Sequence, residues 1–330
     1  MSRRPSSALG AFLVILMLAM ICVPAGLSLH TVKKAIPLSH DFSNNPTPYG
    51  YTVSLLLFII PILVIGYWLL PSEHLSIPRH AFWMTIPILF VFGCGLDFFC
   101  ANRFFLFENS LATLRIPAPA IGGSVPIEEY LFYFTGFVAV LLIYLWLDEY
   151  WLAAYNVPDY RSEAKKIPQL LAFHPWSLGI AIVLLAAAII YKKYISTSPE
   201  GFPEYFSVLV LVGIIPALAL YPNAKTFINW RAFSLTLFMI LLISMFWEAT
   251  LAIPYGRWGY QPKAMMGLSI GAWAGLPIEA VFVWVAVSYA TVIVFEVFKV
   301  WKASGKPARE AFVGPRTPAG THTKEHAVGR

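Results

Sequence analysis

Charge is scarce in this chain. Only 12% of its 330 residues are Asp, Glu, Lys or Arg, against about a quarter in soluble domains, and 58% are hydrophobic. This excludes a water-soluble globular enzyme and a disordered or collagen-like chain. Cysteine is scarce as well. Cys22, Cys94 and Cys100 are too few for a disulfide framework and show no CxxC or Cys/His spacing. Cofactor signatures are missing. No GxGxxG follows a strand, and no GxxxxGK[ST] offers a phosphate loop. No DDxxD cluster is present to hold magnesium and a diphosphate, and no HxxxH series points to a di-iron site. The seven histidines are scattered and read as non-ligands. Neither cofactor nor metal is expected. The net charge of +6 sits largely in a tail rather than among stacking aromatics, which points to a membrane surface and not to nucleic acid.

What is present is long apolar runs. A bilayer core about 30 Å thick takes a helix of roughly 20 apolar residues. Eight such runs are predicted, at about 8–29, 52–70, 81–100, 127–147, 176–195, 205–222, 233–253 and 276–298. The first follows Arg3-Arg4 and resembles a signal peptide, but its length exceeds an h-region. With the amino terminus inside, 15 Lys and Arg fall on the inner side and eight on the outer; seven of the 15 lie from Lys299 onward. The tail therefore decides the orientation, with both ends cytoplasmic in an inner (plasma) membrane. Residues 301–330 read as a disordered basic tail.

A shift of 151 residues overlays the second half on the first. Pro71 meets Pro222, Ala81-Phe82 meets Ala232-Phe233, Thr85 meets Thr236, and Asp97 meets Glu248. Pro126-Ile127-Glu128 meets Pro277-Ile278-Glu279 without a gap. The expected architecture is an all-α integral membrane protein of about eight transmembrane helices in two four-helix repeats. Its parts are an N-terminal helix and loop (1–51), a first repeat (52–150), a linker and helix (151–204), a second repeat (205–300) and the tail. An even number of helices per unit makes the repeats parallel, so function is expected between the halves.

Few acidic side chains lie at membrane depth: Asp97, Glu128, Glu129, Glu248 and Glu279. An ionisable group there is costly and usually faces a cavity or partner. Two carboxyl groups held at different proton affinities make an acid–base pair. Pro followed by Glu is also ordinary helix-start grammar. That reading weighs more for Glu129, about 100° round the helix from Glu128 and matched by Ala280 in the second half. Asp97 and Glu248 read equally well as partners for Arg103, Arg257 or a helix end. Phe132, Trp258, Tyr260 and Trp284 crowd the same depth, as core and interfacial belt or as π faces that steady a cation.

Val125-Pro-Ile-Glu-Glu-Tyr-Leu-Phe-Tyr-Phe134 resembles the Pro-x-Glu-Glu-x-Leu-Phe-Phe motif of membrane lycopene cyclases. These are found as two-subunit bacterial enzymes and as the amino-terminal domain of bifunctional fungal proteins. Leu276-Pro-Ile-Glu-Ala-Val-Phe-Val-Trp284 is similar to the second copy, and Arg257-Trp-Gly-Tyr-Gln-Pro262 to the family's Gly-x-Trp-x-Tyr-x-Pro segment. The resemblance covers about residues 52–300. It implies a cofactor-independent isomerase that closes the ψ ends of lycopene, taking a carotenoid from the bilayer, with possible contact to other enzymes of that biosynthesis. Its Glu-Glu pair maps onto Glu128 and Glu129, and its second copy onto Glu279 alone. Ala280 in place of a second Glu, and Phe107 and Asn109 opposite Trp258 and Tyr260, leave substrate and ring type open. On this reading Glu128 or Glu279 protonates the terminal alkene, its opposite number takes the proton back, and Phe132, Trp258, Tyr260 and Trp284 line the substrate. A bell-shaped pH profile is expected. The rival readings are another isoprenoid-modifying enzyme, such as a hydratase, and a carrier with parallel repeats. Pro61, Pro87 and Pro216 inside spans fit the carrier.

Overall fold

A computed structural model describes residue Ile15 and residues 48–72, 74–75 and 77–315. The expected first span, the rest of segment 1–47 and the end of the tail lie outside the described residues. Among the described residues six helices are long and apolar enough to cross a membrane: α1 (Gly50–Ser72), α2 (Arg79–Phe104), α3 (Ile127–Trp151), α5 (Pro175–Ile195), α7 (Trp230–Tyr255) and α8 (Glu279–Ser304). Between them lie α4 (Tyr160–Lys166) and the apolar but shorter α6 (Glu204–Ala219), and α9 (Ala308–Val313) follows α8. This is a mostly helical integral membrane protein. In hydrocarbon every backbone polar group needs an internal partner, and helices supply it.

Local chemistry sets the boundaries. Asp159 caps α4 by accepting the N–H of Ser162, and Asn229 caps α7 by accepting that of Ala232. Gly305, with φ of 70°, ends α8 in a left-handed turn. The prolines at 61, 87 and 216 sit inside α1, α2 and α6 without ending them, as neighbouring elements permit in membranes.

The two helices that start with Pro-Ile-Glu form the centre. In their most apolar stretches α3 is 67% and α8 61% buried, against 17% for α5. The outer helices turn Val91, Phe92 and Val183 outward, the side that faces lipid in a spanning helix.

Three short strand pairs in the loops depart from a purely helical expectation. β1 (Phe105–Leu106) pairs with β4 (Gly259–Tyr260) and ties the loop after α2 to the loop after α7. β2 (Pro117–Ala120) and β3 (Gly123–Pro126) form a hairpin into α3, turning on Ile121 and Gly122, whose φ is 86°. β5 (Ser269–Ile270) and β6 (Leu276–Pro277) do the same into α8. These pieces are too short and proline-rich for a period-two pattern to register.

At the opposite end of the bundle Lys299 of α8 lies 3.3 Å from Asp148 and 3.1 Å from Glu149 of α3, and 3.7 Å from Glu296. Tyr144 and Tyr160 donate to Glu296 at 3.1 and 2.8 Å. Beyond it, α8 runs to Ser304 and α9 packs back. Leu170 and Leu171 donate backbone hydrogen bonds to Ala311 and Phe312 at 2.7 and 3.1 Å. Residues 301–313 are thus folded onto the body, not a disordered tail, because Ala311, Phe312 and Trp301 find apolar cover.

Candidate functional site

Both hairpins deliver a glutamate to the first turn of a central helix. Glu128 is fully buried, and its Oε1 accepts from the hydroxyl of Thr52 at 2.5 Å and the N–H of Leu114 at 2.7 Å. Glu279 is equally buried, and its Oε1 accepts the N–H of Met266 at 2.5 Å. Each carboxylate therefore pins the loop ahead of its helix. The expected acid–base pairing of Glu128 with Glu279 is not what the structure brings together. The two bond their own loops, and neither lines the aromatic chamber that Glu129 meets.

Glu129 turns the other way. Its carboxylate accepts the hydroxyl of Tyr51, and it lines a buried chamber of about 40 Å³. Both glutamates stand in the first turn of α3, but Glu128 holds a loop and Glu129 meets the chamber. Across the chamber stands Glu248, placed where α7 loosens into a wider π turn over Glu248–Ala252, a distortion common at functional sites. Tyr260 donates to Glu248. Burial, with that carboxylate beside it, holds the Tyr260 hydroxyl above the ordinary phenol range, so it keeps its proton. Trp258 and Trp284 also lie beside Glu248, although the indole N–H of Trp284 reaches no hydrogen-bond partner.

Aromatic rings complete the walls. Trp247 packs edge-on against Trp258 at 4.5 Å between ring centres, Tyr51 lies 4.9 Å from Trp258, and Phe132 5.2 Å from Trp247. The indole of Trp247 is fixed by donating to Ser54 at 2.7 Å. Phe132, Trp258 and Tyr260 line the chamber, together with Tyr51, Tyr133, Tyr205 and Trp247. Trp284 instead lines a neighbouring void of about 10 Å³, separated from the chamber by Phe132, Tyr133 and Val283, which border both. Asp97 stands outside the chamber, buried beside Tyr133, with Oδ2 unbonded. Gly93 lets the ring of Tyr133 lie close to α2, since a Cβ there would come within 2.7 Å of it.

The arginine partnerships differ from expectation. Arg103 pairs with Glu204 at the start of α6, not with Asp97. Arg257 does not pair with Glu248, whose free side is occupied by Tyr260.

Tyr51 and Tyr205 carry the weakest signal in the sequence, since an aromatic at the edge of a span reads as interfacial belt. Trp247 adjoins Glu248 in the sequence and was legible from that. Comparison with known proteins found no matching family model, curated protein or solved structure.

Proposed function

We propose that this protein is a cofactor-independent carotenoid cyclase of the lycopene cyclase type, working on a substrate drawn from the lipid phase. The observation that carries the reading is the pair Glu129 and Glu248. They are two buried carboxylates, one from α3 and one from α7, each held by a tyrosine hydroxyl and facing one aromatic chamber. Buried acids and π faces without solvent suit alkene protonation, because the rings steady a cation that water would quench. One carboxyl group, in its neutral form, gives its proton to the terminal C=C. The tertiary cation closes a C–C bond with the next alkene. The other carboxylate removes a proton and sets the ring double bond. Atoms and electrons balance without a redox partner.

A chamber of about 40 Å³ is far below the roughly 300–1,000 Å³ of small-molecule sites, so it opens when a chain end arrives. Phe132, Tyr133 and Val283 are the movable wall, since displacing them joins the two voids.

The reading includes two parallel repeats and, with the segment before α1, eight spans. The loop pairing supports it. Phe105 pairs with Tyr260, and the same pairing with the halves exchanged is Asn109 with Gly256, where the N–H of Asn109 donates at 3.1 Å. Such reciprocal contacts are what a twofold relation produces. Asp148 and Lys299, also 151 residues apart, touch at the far end. On this reading the carboxyl terminus lies in the cytoplasm of a cell with an inner (plasma) membrane, the orientation that the Lys and Arg count favours.

Hydration is the second reading, favoured by the size of the chamber, which has room for water rather than a ring. Expression in a bacterial host that accumulates lycopene separates the two. A cyclised product keeps the substrate mass, a hydrated one gains that of water, and unchanged lycopene contradicts both.

A further inference from the structure

Arg257 is an anomaly. Its residue is 4% exposed, yet Nε and Nη1 have no hydrogen-bond partner, and none of the ion pairs among the described residues includes it. Among the described residues, the ring of Tyr255 stands 5.5 Å from the guanidinium. Burial depresses its proton affinity without a carboxylate to restore it. Arg103 has Glu204, and Arg231, whose Nη1 is also unbonded, lies 3.6 Å over the ring of Tyr155, closer than Arg257 lies to any ring. A buried cation without a counter-charge is among the costliest features a fold can carry.

Its position makes the imbalance worse. The guanidinium lies against Gly50, the first residue of the 23-residue helix α1; a Cβ there would stand 2.5 Å from Nη2 and 2.9 Å from Nε. The end of α1 carries no capping side chain, and Tyr49 ahead of it is left-handed, with φ of 58°. A helix amino terminus has unsatisfied N–H groups and partial positive charge. The guanidinium and the helix end converge; Glu129 and Glu128 bond the side chains of Tyr51 and Thr52 in the first turn of α1, but among the described residues no carboxylate pairs with Arg257. The missing side chain at Gly50 lets the guanidinium lie directly against the start of the helix.

We infer that Arg257 and the amino terminus of α1 form a phosphate site. A phosphate supplies charge for the guanidinium and acceptors for both the guanidinium and the helix N–H groups. The site lies where a spanning helix leaves the hydrocarbon, the depth of lipid headgroups, so the phosphodiester of a membrane lipid and free inorganic phosphate are the two sources.

The test uses the full chain in a phosphate-free maltoside detergent, with thermal unfolding followed at constant ionic strength. Inorganic phosphate is one probe. Phosphatidylglycerol is the other, with a phosphate-free galactolipid as control. The midpoint of the wild-type protein is expected to rise by about 5 °C with a phosphate-bearing probe and not with the galactolipid. A rise with inorganic phosphate names the free ion as sufficient; a rise with phosphatidylglycerol alone names the lipid. Arg257→Gln is expected to abolish the rise while melting no lower than wild type without phosphate, since it removes an unpaired buried charge. Gly50→Ala, whose methyl group displaces the guanidinium, is read where Arg257→Gln does not fold, and is expected to lose the rise too. The proposal is overturned if neither probe moves the wild-type midpoint, or if the variant read shifts as wild type does.

Discussion

The first turns of α3 and α8 both begin with Pro-Ile-Glu, and in both the first glutamate is buried and accepts a backbone N–H from its own loop, Leu114 or Met266. One residue further the two helices part. Glu129 enters the aromatic chamber; its counterpart 151 residues on is Ala280, buried and apolar. The other pair related by that shift is reversed. Glu248 faces the chamber, whereas Asp97 stands behind Tyr133. The chamber therefore takes one carboxylate from each half, and the mirror arrangement, Ala280 with Asp97, lacks its pair. Matching positions keep the glutamate that pins a loop, while the carboxylates that line the chamber are kept on one diagonal only.

The largest expected effect breaks that asymmetry directly. Glu129→Gln and Glu248→Gln are each expected to lower ring formation by about 100-fold or more, read by pigment chromatography, with the protein still inserted. Equal activity in either variant removes that carboxylate from the proposed reaction. At the far end, Lys299→Met leaves Asp148 and Glu296 buried without their cation. It is expected to cost about 3–5 kcal/mol in thermal or denaturant unfolding, and a neutral result would show that those carboxylates are protonated in the fold. Glu128→Ala and Glu279→Ala sharpen the likeness between the helix starts. Each strands a backbone donor and is expected to destabilise by about 1–3 kcal/mol, with residual activity tracking the folded fraction. The smallest change is Thr52→Val, which deletes one donor to Glu128 and is expected to cost about 1 kcal/mol in the same melts with no effect on turnover.

Much of the fold is legible in the sequence because hydrocarbon imposes a coarse rule: about 20 apolar residues make a span. Six predicted runs coincide with the long helices to within a few residues, and the run at 205–222 is the shorter α6. The strand pairs were not legible, since two- and four-residue pieces hold no periodicity. At the site, the residue types were readable but not their facing. Glu128 and Glu129 are neighbours about 100° apart on one helix, and which one meets the cavity depends on how α1 packs. Tyr51 and Thr52 of α1 decide it by bonding Glu129 and Glu128 respectively. Nothing in the local sequence of α3 encodes those partners. The tail from Lys302 reads as polar, yet Ala311 and Phe312 bury themselves against the main core, a contact set by distant residues.

The central claim is that Glu129, rather than its neighbour, does the chemistry with Glu248. The most direct measurement is pigment analysis of a lycopene-accumulating bacterial host expressing the wild-type chain, Glu128→Gln or Glu129→Gln at matched membrane levels. Cyclic product of unchanged mass is expected from wild type and Glu128→Gln, and lycopene alone from Glu129→Gln. Cyclic product from Glu129→Gln at the wild-type level, or its loss only in Glu128→Gln, would contradict it.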